Sequence, residues 1–358
     1  MNGVPVSAPP APRLRSRQLP LFPPEVERSF NLLPALGEQG DIQYFGTWSR
    51  SALNPPAATG MSFWSVNPYV GCAFGCTYCY ARYAHRYAIR RGMDAERLDD
   101  GLAAAVEEMP HWLAFERRIL VKRNLPDMLA RTLRYGSEKF AGLARGETIL
   151  VGSATDPYQP AERRFRMTRR IFEVLAEHPG LRVVLITKSP LVTRDVDVLA
   201  RIARHSELHV QISLITLDRE LARRIEPRAP TPDSRLRAIA RLSAAGIQVG
   251  VNCMPVLPGI TDDPAALDAL VQGVAEAGAV RAGACALRLD RSARERYLPF
   301  IEQEFPELAP RYRATYAHGR SVGARYSDGL QRYFHSLCVK HGLENWSRSE
   351  EAEEGADD

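Results

Sequence analysis

Cys72, Cys76 and Cys79, three of the chain's six cysteines, fall within the stretch NPYVGCAFGCTYCYAR (residues 67–82) at a C-x3-C-x2-C spacing. Thiolates bind soft metals, and three from one loop can wrap one face of a compact cluster. Gly71 and Gly75 allow the tight backbone turns this needs. A structural zinc takes four ligands, usually from paired C-x2-C knuckles, and a ferredoxin-type cluster takes four thiolates. Cys253, Cys285 and Cys338 are solitary and far along the chain. The triplet therefore predicts an iron centre with one metal position open to a substrate or cofactor. Three unlinked buried cysteines would have no reason to share a loop. Cys253 alternates in phase with Val249 and Val251 and reads as a core residue, as do Cys285 and Cys338.

Such a loop needs a frame, and the rest of the sequence predicts one. β-Rich runs occur at 62–68, 117–122, 147–152, 181–188, 207–215, 247–255 and 282–289, with helical apolar spacing between most of them, as at 164–178, 235–246 and 264–278. The runs are nearly continuous in apolar residues, as in strands buried on both faces. This alternation predicts an α/β fold, a parallel (β/α) partial TIM-type barrel of about six to seven strands. The cysteine loop follows the first strand, so the chemistry belongs at the C-terminal mouth. Other strands end in polar residues there: Lys122 and Asn124; Ser153, Thr155, Asp156, Tyr158, Gln159 and Glu162; Thr187, Lys188 and Ser189; Gln211, Ser213 and Thr216; Asn252; and Arg288. Polar residues also begin loops and cap helices, so the argument rests on their concentration at one end of successive strands.

Around this core, residues 1–45 are expected to form a largely disordered leader, with seven prolines and no acid in the first 24. The barrel is expected over 46–290, a helical C-terminal cover over 291–346 and a disordered acidic tail over 347–358. No run approaches the ~20 apolar residues of a membrane span, and no secretory signal opens the chain. A cytoplasmic monomer is expected, in a compartment where clustered cysteines bind metal rather than form disulfides. The net charge of +5 masks a basic body, because the last ten residues hold six acids and no base. A basic body suits a polyanionic partner such as nucleic acid. Lysines number four, Lys122, Lys139, Lys188 and Lys340, against 43 arginines. A lysine kept at a strand end offers the compact point charge that arginine's planar fork does not.

The triplet resembles the signature of the radical S-adenosylmethionine (SAM) enzymes. Together with TDPYQPAE, ITKSPLVTRDVDVL, EPRAPTPDSRLRAI and MPVLPGITD, it is similar to their spore photoproduct lyase-like branch, whose members are often named DNA repair photolyases, from about residue 50 to 285. The resemblance implies that Cys72, Cys76 and Cys79 hold a 4Fe–4S cluster whose open iron binds SAM. The reduced cluster would cleave SAM to a 5′-deoxyadenosyl radical that abstracts hydrogen from a substrate. It further implies that Thr155, Lys188 and Ser213 contact SAM, with Glu226 and Arg228 assisting or forming an ion pair. Tyr78 and Tyr80 would return hydrogen to SAM, their alternative role being to pack against the cluster. A flavodoxin- or ferredoxin-type protein would supply electrons. One position departs from the pattern: the lyase's hydrogen-donating cysteine is Ser153 here, and an O–H bond is too strong for that task.

Three functions follow as alternatives: radical chemistry on a pyrimidine lesion or base in nucleic acid, the same chemistry on a small molecule or peptide, or a non-catalytic iron–sulfur or zinc protein. Segment 290–346 mixes Arg and Tyr, which suits either nucleic-acid stacking or a helical cover.

Overall fold

β-Branched runs and amphipathic helices build the frame in the computed structural model, which describes residues 35–94, 100–135 and 140–346. The leader up to residue 34 and the acidic tail lie outside the described residues. The strands are β1 (Ala35–Gln39), β2 (Ile42–Thr47), β3 (Trp64–Val66), β4 (Tyr69–Val70), β5 (Arg118–Lys122), β6 (Thr148–Val151), β7 (Arg182–Thr187), β8 (Glu207–Ser213), β9 (Gln248–Asn252), β10 (Arg281–Gly283) and β11 (Glu344–Asn345).

Seven of them form a parallel sheet in the order β11-β10-β9-β8-β7-β6-β3. Its end strands do not pair with each other among the described residues, so the sheet is the open, partial form of a barrel. Alternation gives it two unlike faces. Val183, Leu185, Val210, Ile212, Val249 and Val251 are fully buried on the outer face. They pack there with apolar residues of helices Met167–Leu175, Val196–Ala203, Pro232–Ala244, Pro264–Glu276 and Ala324–Lys340. Each such side chain contributes about 1.5–3 kcal/mol. The inner face instead carries Ser65, His209, Gln211, Ser213 and Asn252, all buried and polar.

Three expectations change. The run at 117–122 forms β5 but does not join the barrel; it lies in a second sheet of order β1-β2-β5-β4, parallel to β2 and antiparallel to β4. Both of its faces are buried, Ile119 and Val121 with Tyr44 and Tyr69, Leu120 with Phe45 and Ile89. Its apolar continuity is thus real but silent about which sheet it enters. The outermost place beyond β10 goes to β11, from the segment expected to be only helical cover. The leader's boundary also moves, since β1 and β2 pair antiparallel inside the span assigned to it; Tyr44 and Phe45 are buried there.

Helices Arg291–Glu304 and Ala309–Thr315 bring Ala293, Tyr297, Phe300, Ile301, Tyr312 and Tyr316 into one apolar cluster with Cys72, Phe74, Cys76 and Tyr78. Part of the C-terminal segment therefore roofs the cysteine loop. Among the described residues no helix is long and apolar enough to cross a membrane.

Candidate functional site

The cysteine loop leaves β4 at Val70 and is tied down from several elements. Cys72 N–H donates to Phe115 O at 2.9 Å and Thr77 N–H to Ile225 O at 3.0 Å. Gly71 (φ +89°) and Gly75 (φ +66°) take the left-handed backbone that side chains resist. They are also crowded, since a Cβ would stand 2.7 Å from Phe115 O at Gly71 and 2.7 Å from a Glu116 carboxylate oxygen at Gly75. Gln159, fully buried, spans the loop: its Nε2 donates to Gly71 O (3.1 Å) and Thr155 Oγ1 (2.9 Å), and its Oε1 accepts from Ala73 N–H (2.9 Å). Thr155 Oγ1 itself donates to Gly71 O. Behind the loop, the buried Arg82 donates to Cys76 O (2.7 Å), Trp112 O and Glu116 (2.8 Å).

Cys72 and Cys76 are buried and Cys79 half-buried. Burial pushes the Cys72 thiol up to about 12 and raises Cys76 and Cys79 as well, so metal binding would have to displace their protons. Cys253 and Cys338 lie in the separate outer-face core. Among the described residues no three His, Cys, Asp or Glu side chains converge as a single-ion site requires. Three thiols on one loop are, in kind, the donors that iron–sulfur clusters take.

Lys188, at the end of β7, is held by its neighbours. Asp156 accepts from Lys188 N–H and from Thr187 Oγ1, each at 2.7 Å, which binds the β6 loop to the end of β7. The Lys188 ammonium lies 3.8 Å from Glu226 Oε1 and 5.7 Å from the centre of the Tyr78 ring. Glu226 also accepts from Tyr78 OH and from Arg235, whose guanidinium donates further to Ser213 O and Pro230 O, both at 2.9 Å. Glu226, Arg235 and Tyr78 are buried, and Lys188 and Asp156 are half-buried. Burial works against the charge on Glu226, but Arg235 and Lys188 outweigh it and hold the carboxyl below its usual range. Burial likewise opposes the Lys188 charge, and Cys76 and Glu226 outweigh it, so the ammonium is favoured. Burial and then Glu226 push the Tyr78 phenol well up, leaving it protonated.

Cys72, Cys76, Cys79, Tyr78, Thr155, Lys188 and Glu226 are thus brought together, with Ser213 joined through Arg235. Tyr80 is half-exposed and donates to Ser153 O, while Ser153 Oγ accepts from Asn67 at 2.9 Å. Arg228 does not pair with Glu226; it binds Glu116 at 2.7 Å and Asp41 at 3.4 Å, beside Gly75. Lys122 and Asn124 end β5 in the second sheet, where burial lowers Lys122 to about 8 and Asn124 bonds the backbone of Ser49 (2.8 and 2.9 Å). Sequence reasoning passed over Arg82, Glu116, Arg235 and Asn67. The EPRAPTPDSRLRAI string contains Arg235, but an arginine in a helix's first turn carries no mark of burial.

Three comparisons bear on this arrangement. The chain is 33% identical over 305 residues to an uncharacterized protein of Mycobacterium tuberculosis, covering 84% of this chain and 82% of that one. It is 26% identical over 214 residues to an uncharacterized protein of Methanocaldococcus jannaschii, covering 60% and 68%. Its fold is similar to that of spore photoproduct lyase. A variant of that enzyme with bound AdoMet and dinucleoside spore photoproduct superposes with a TM-score of 0.60 at 14% identity over 88% of each chain, and a second variant with a TM-score of 0.60 at 16% identity over 88% and 87%. The family profile described as Radical SAM superfamily matches residues 66–270, more than half of the chain and including all three clustered cysteines. The chain belongs to the radical SAM superfamily and is an enzyme of that class, whose cofactors are a 4Fe–4S cluster and SAM.

Proposed function

We propose that Cys72, Cys76 and Cys79 hold the cluster and that Lys188, Ser213 and Thr155 receive SAM beside it. The observation that carries this reading is a loop of three thiols, pinned through its backbone, with the Lys188 ammonium at the end of β7 lying 5.7 Å from the ring of Tyr78, the residue just before Cys79. When bound, the cluster and SAM supply a 5′-deoxyadenosyl radical that abstracts hydrogen from a substrate.

The chain's own groups have distinct tasks in this reading. The Lys188 ammonium offers a charge-assisted hydrogen bond to a carboxylate, stronger than a neutral one. Glu226 keeps that ammonium charged and fixes the Tyr78 phenol, while Arg235 keeps Glu226 ionised. Thr155 and Gln159 hold the loop's carbonyls, and the roof of Tyr297, Phe300 and Tyr312 excludes water from its outer side. Tyr78 and Tyr80 flank Cys79 and supply phenolic hydrogens at the loop. Arg228 steadies Glu116 beneath Gly75 rather than reaching SAM. A low-potential flavodoxin- or ferredoxin-type protein of the cytoplasm delivers the electrons.

For the substrate we propose a base or pyrimidine lesion in nucleic acid. The basic body supports it, as does the fold shared with an enzyme whose structure holds a dinucleoside spore photoproduct. A small molecule or peptide is the second reading, and Ser153 favours it, because a hydroxyl at that position does not complete the lyase's own reaction. Binding of duplex DNA followed across a salt series separates the two, since phosphate contacts weaken steeply with salt. Binding that falls with salt supports the first reading; none at low salt removes it. Anaerobic reconstitution, reduction and SAM cleavage test the chemistry itself, with 5′-deoxyadenosine as the expected product.

A further inference from the structure

Behind the cysteine loop, arginines outnumber the acids they meet. Glu116, in the helix His111–Arg117 and 5% exposed, is the shared anion. It accepts from Arg82 Nη2 at 2.8 Å and from Arg228 Nη2 at 2.7 Å, while Arg296 Nε lies 3.7 Å away. Asp41, exposed in the turn between β1 and β2, pairs with Arg117 at 2.9 Å and Arg228 at 3.4 Å. Four guanidiniums thus share two carboxylates, and one of the carboxylates faces water. Arg82 and Arg296 also lie over the rings of Phe115 (5.2 Å) and Trp112 (5.1 Å), whose faces attract a cation without cancelling its charge. Burial opposes the charge on Arg296, Glu116 favours it, and Arg82 and Arg228 oppose it again, which leaves this guanidinium below the usual arginine range. The surplus is not a general result of an arginine-rich chain. In a second network Arg169 and Arg194 are met by Glu162, Glu173, Asp195 and Asp197.

The bundle reaches the loop through its backbone. Arg82 Nη2 donates to Cys76 O at 2.7 Å, and Arg228 N–H donates to Phe74 O at 3.2 Å. A Cβ at Gly75 would stand 2.7 Å from Glu116 Oε2 and 3.1 Å from Arg228 Nη2. Arg82 is fully buried, so little water screens its charge from the loop. The Arg228 and Arg296 side chains are 29% and 22% exposed, and neither touches a cysteine or a loop carbonyl among the described contacts. A cluster held by three thiolates carries net negative charge, and each electron it gains adds to that charge. Fixed cations beside it therefore favour the reduced form.

Resting on the reading that Cys72, Cys76 and Cys79 hold the cluster, we propose that the surplus charge of Arg82, Arg228 and Arg296 raises the cluster's reduction potential, with Glu116 limiting the rise. These are positioning residues: they act on the cluster through their field and through the loop. The step they ease is a one-electron transfer, in which the low-potential donor protein is oxidised as the cluster is reduced, with no bond made or broken.

The test is a redox titration of the anaerobically reconstituted full-length enzyme, without SAM, followed by electron paramagnetic resonance. Arg228→Met and Arg296→Met should each lower the midpoint potential. At a fixed potential each should hold roughly three- to tenfold less reduced cluster, tenfold being about 59 mV for one electron. Glu116→Gln should move the midpoint upward by a similar factor. Arg296→Lys, which keeps the charge but loses the flat guanidinium over Trp112, should stay at the wild-type value. Iron content per chain is measured beside each titration, so that a lost cluster is not read as a shifted one. Wild-type potentials in both Met variants overturn the assignment. So does a shift of one sign for the arginine and glutamate changes alike, which marks altered packing rather than charge. Should Glu116→Gln fail to fold, Arg296→Met against Arg296→Lys decides, and equal potentials overturn the assignment. A wild type that takes up no 4Fe–4S cluster would instead remove the reading on which it rests.

Discussion

Around the cysteine loop, Gln159, Thr155 and Arg82 commit their hydrogen bonds to backbone carbonyls, and Glu226 is shared by three partners. At the β8–β10 end of the same mouth, Gln211 and Asn252 keep carbonyl oxygens without donors and Cys285 is half-buried. The first region has its hydrogen bonds made within the protein, as suits a loop whose three thiols are to meet a cluster with little rearrangement. The second carries buried carbonyl oxygens that the protein itself does not pair. Paired and unpaired polar groups are thus separated between two parts of the molecule.

The comparison can be broken most severely at the thiols. Replacing Cys72, Cys76 or Cys79 by Ala should abolish iron–sulfur absorption after reconstitution and, with it, SAM cleavage; retention of either would detach the loop from the chemistry. Next comes Arg235→Met, which leaves Glu226 buried with only a 3.8 Å lysine contact as its cationic partner. Breaking a buried pair this way should cost about 3–5 kcal/mol in urea unfolding, and pairing the change with Glu226→Gln should recover part of that loss. A third test uses acid. His85 is buried against the carbonyl of Arg118 and held neutral down to about 4, because burial disfavours its charge. Unfolding therefore takes up a proton between the ordinary histidine value of about 6.5 and 4. Stability should fall by about 3 kcal/mol as the pH drops through that window, and His85→Asn should lack this component. Glu226 acts lower: its contribution persists above the ordinary carboxylate value and is lost only as the pH falls through its depressed one.

Smaller effects sharpen the contrast between the two regions. Gln159→Ala removes three hydrogen bonds from the loop and should cost roughly 1–3 kcal/mol while lowering iron retention. Gln211→Met breaks no hydrogen bond and relieves an unpaired carbonyl, so thermal and urea unfolding should show no loss, or a gain of up to about 1 kcal/mol. A substantial loss there would mean the open end is as structurally committed as the loop.

What the sequence discloses follows from how local each requirement is. The cysteine triplet was legible because one loop must supply all three thiols, and the strands because buried β-branched runs look alike wherever they pair. For that same reason β5 could not be assigned to its sheet. Its partners β2 and β4 lie in segments read as leader and as part of the cysteine loop, and its own residues are apolar on both sides. Arg82 and Arg235 were invisible among 43 arginines, since only the fold shows that they are buried against carboxylates. Cys285 was read as a core residue like Cys338, yet it is half-buried while Ala282 and Ala284 beside it pack into the core.

The central claim is that three thiolates leave one iron open to SAM. Electron paramagnetic resonance of the anaerobically reconstituted and reduced enzyme, recorded with and without SAM, tests it directly. A 4Fe–4S signal whose g-values shift when SAM is added is the predicted result. A centre whose spectrum ignores SAM, or a protein that retains stoichiometric zinc in place of iron, would contradict it.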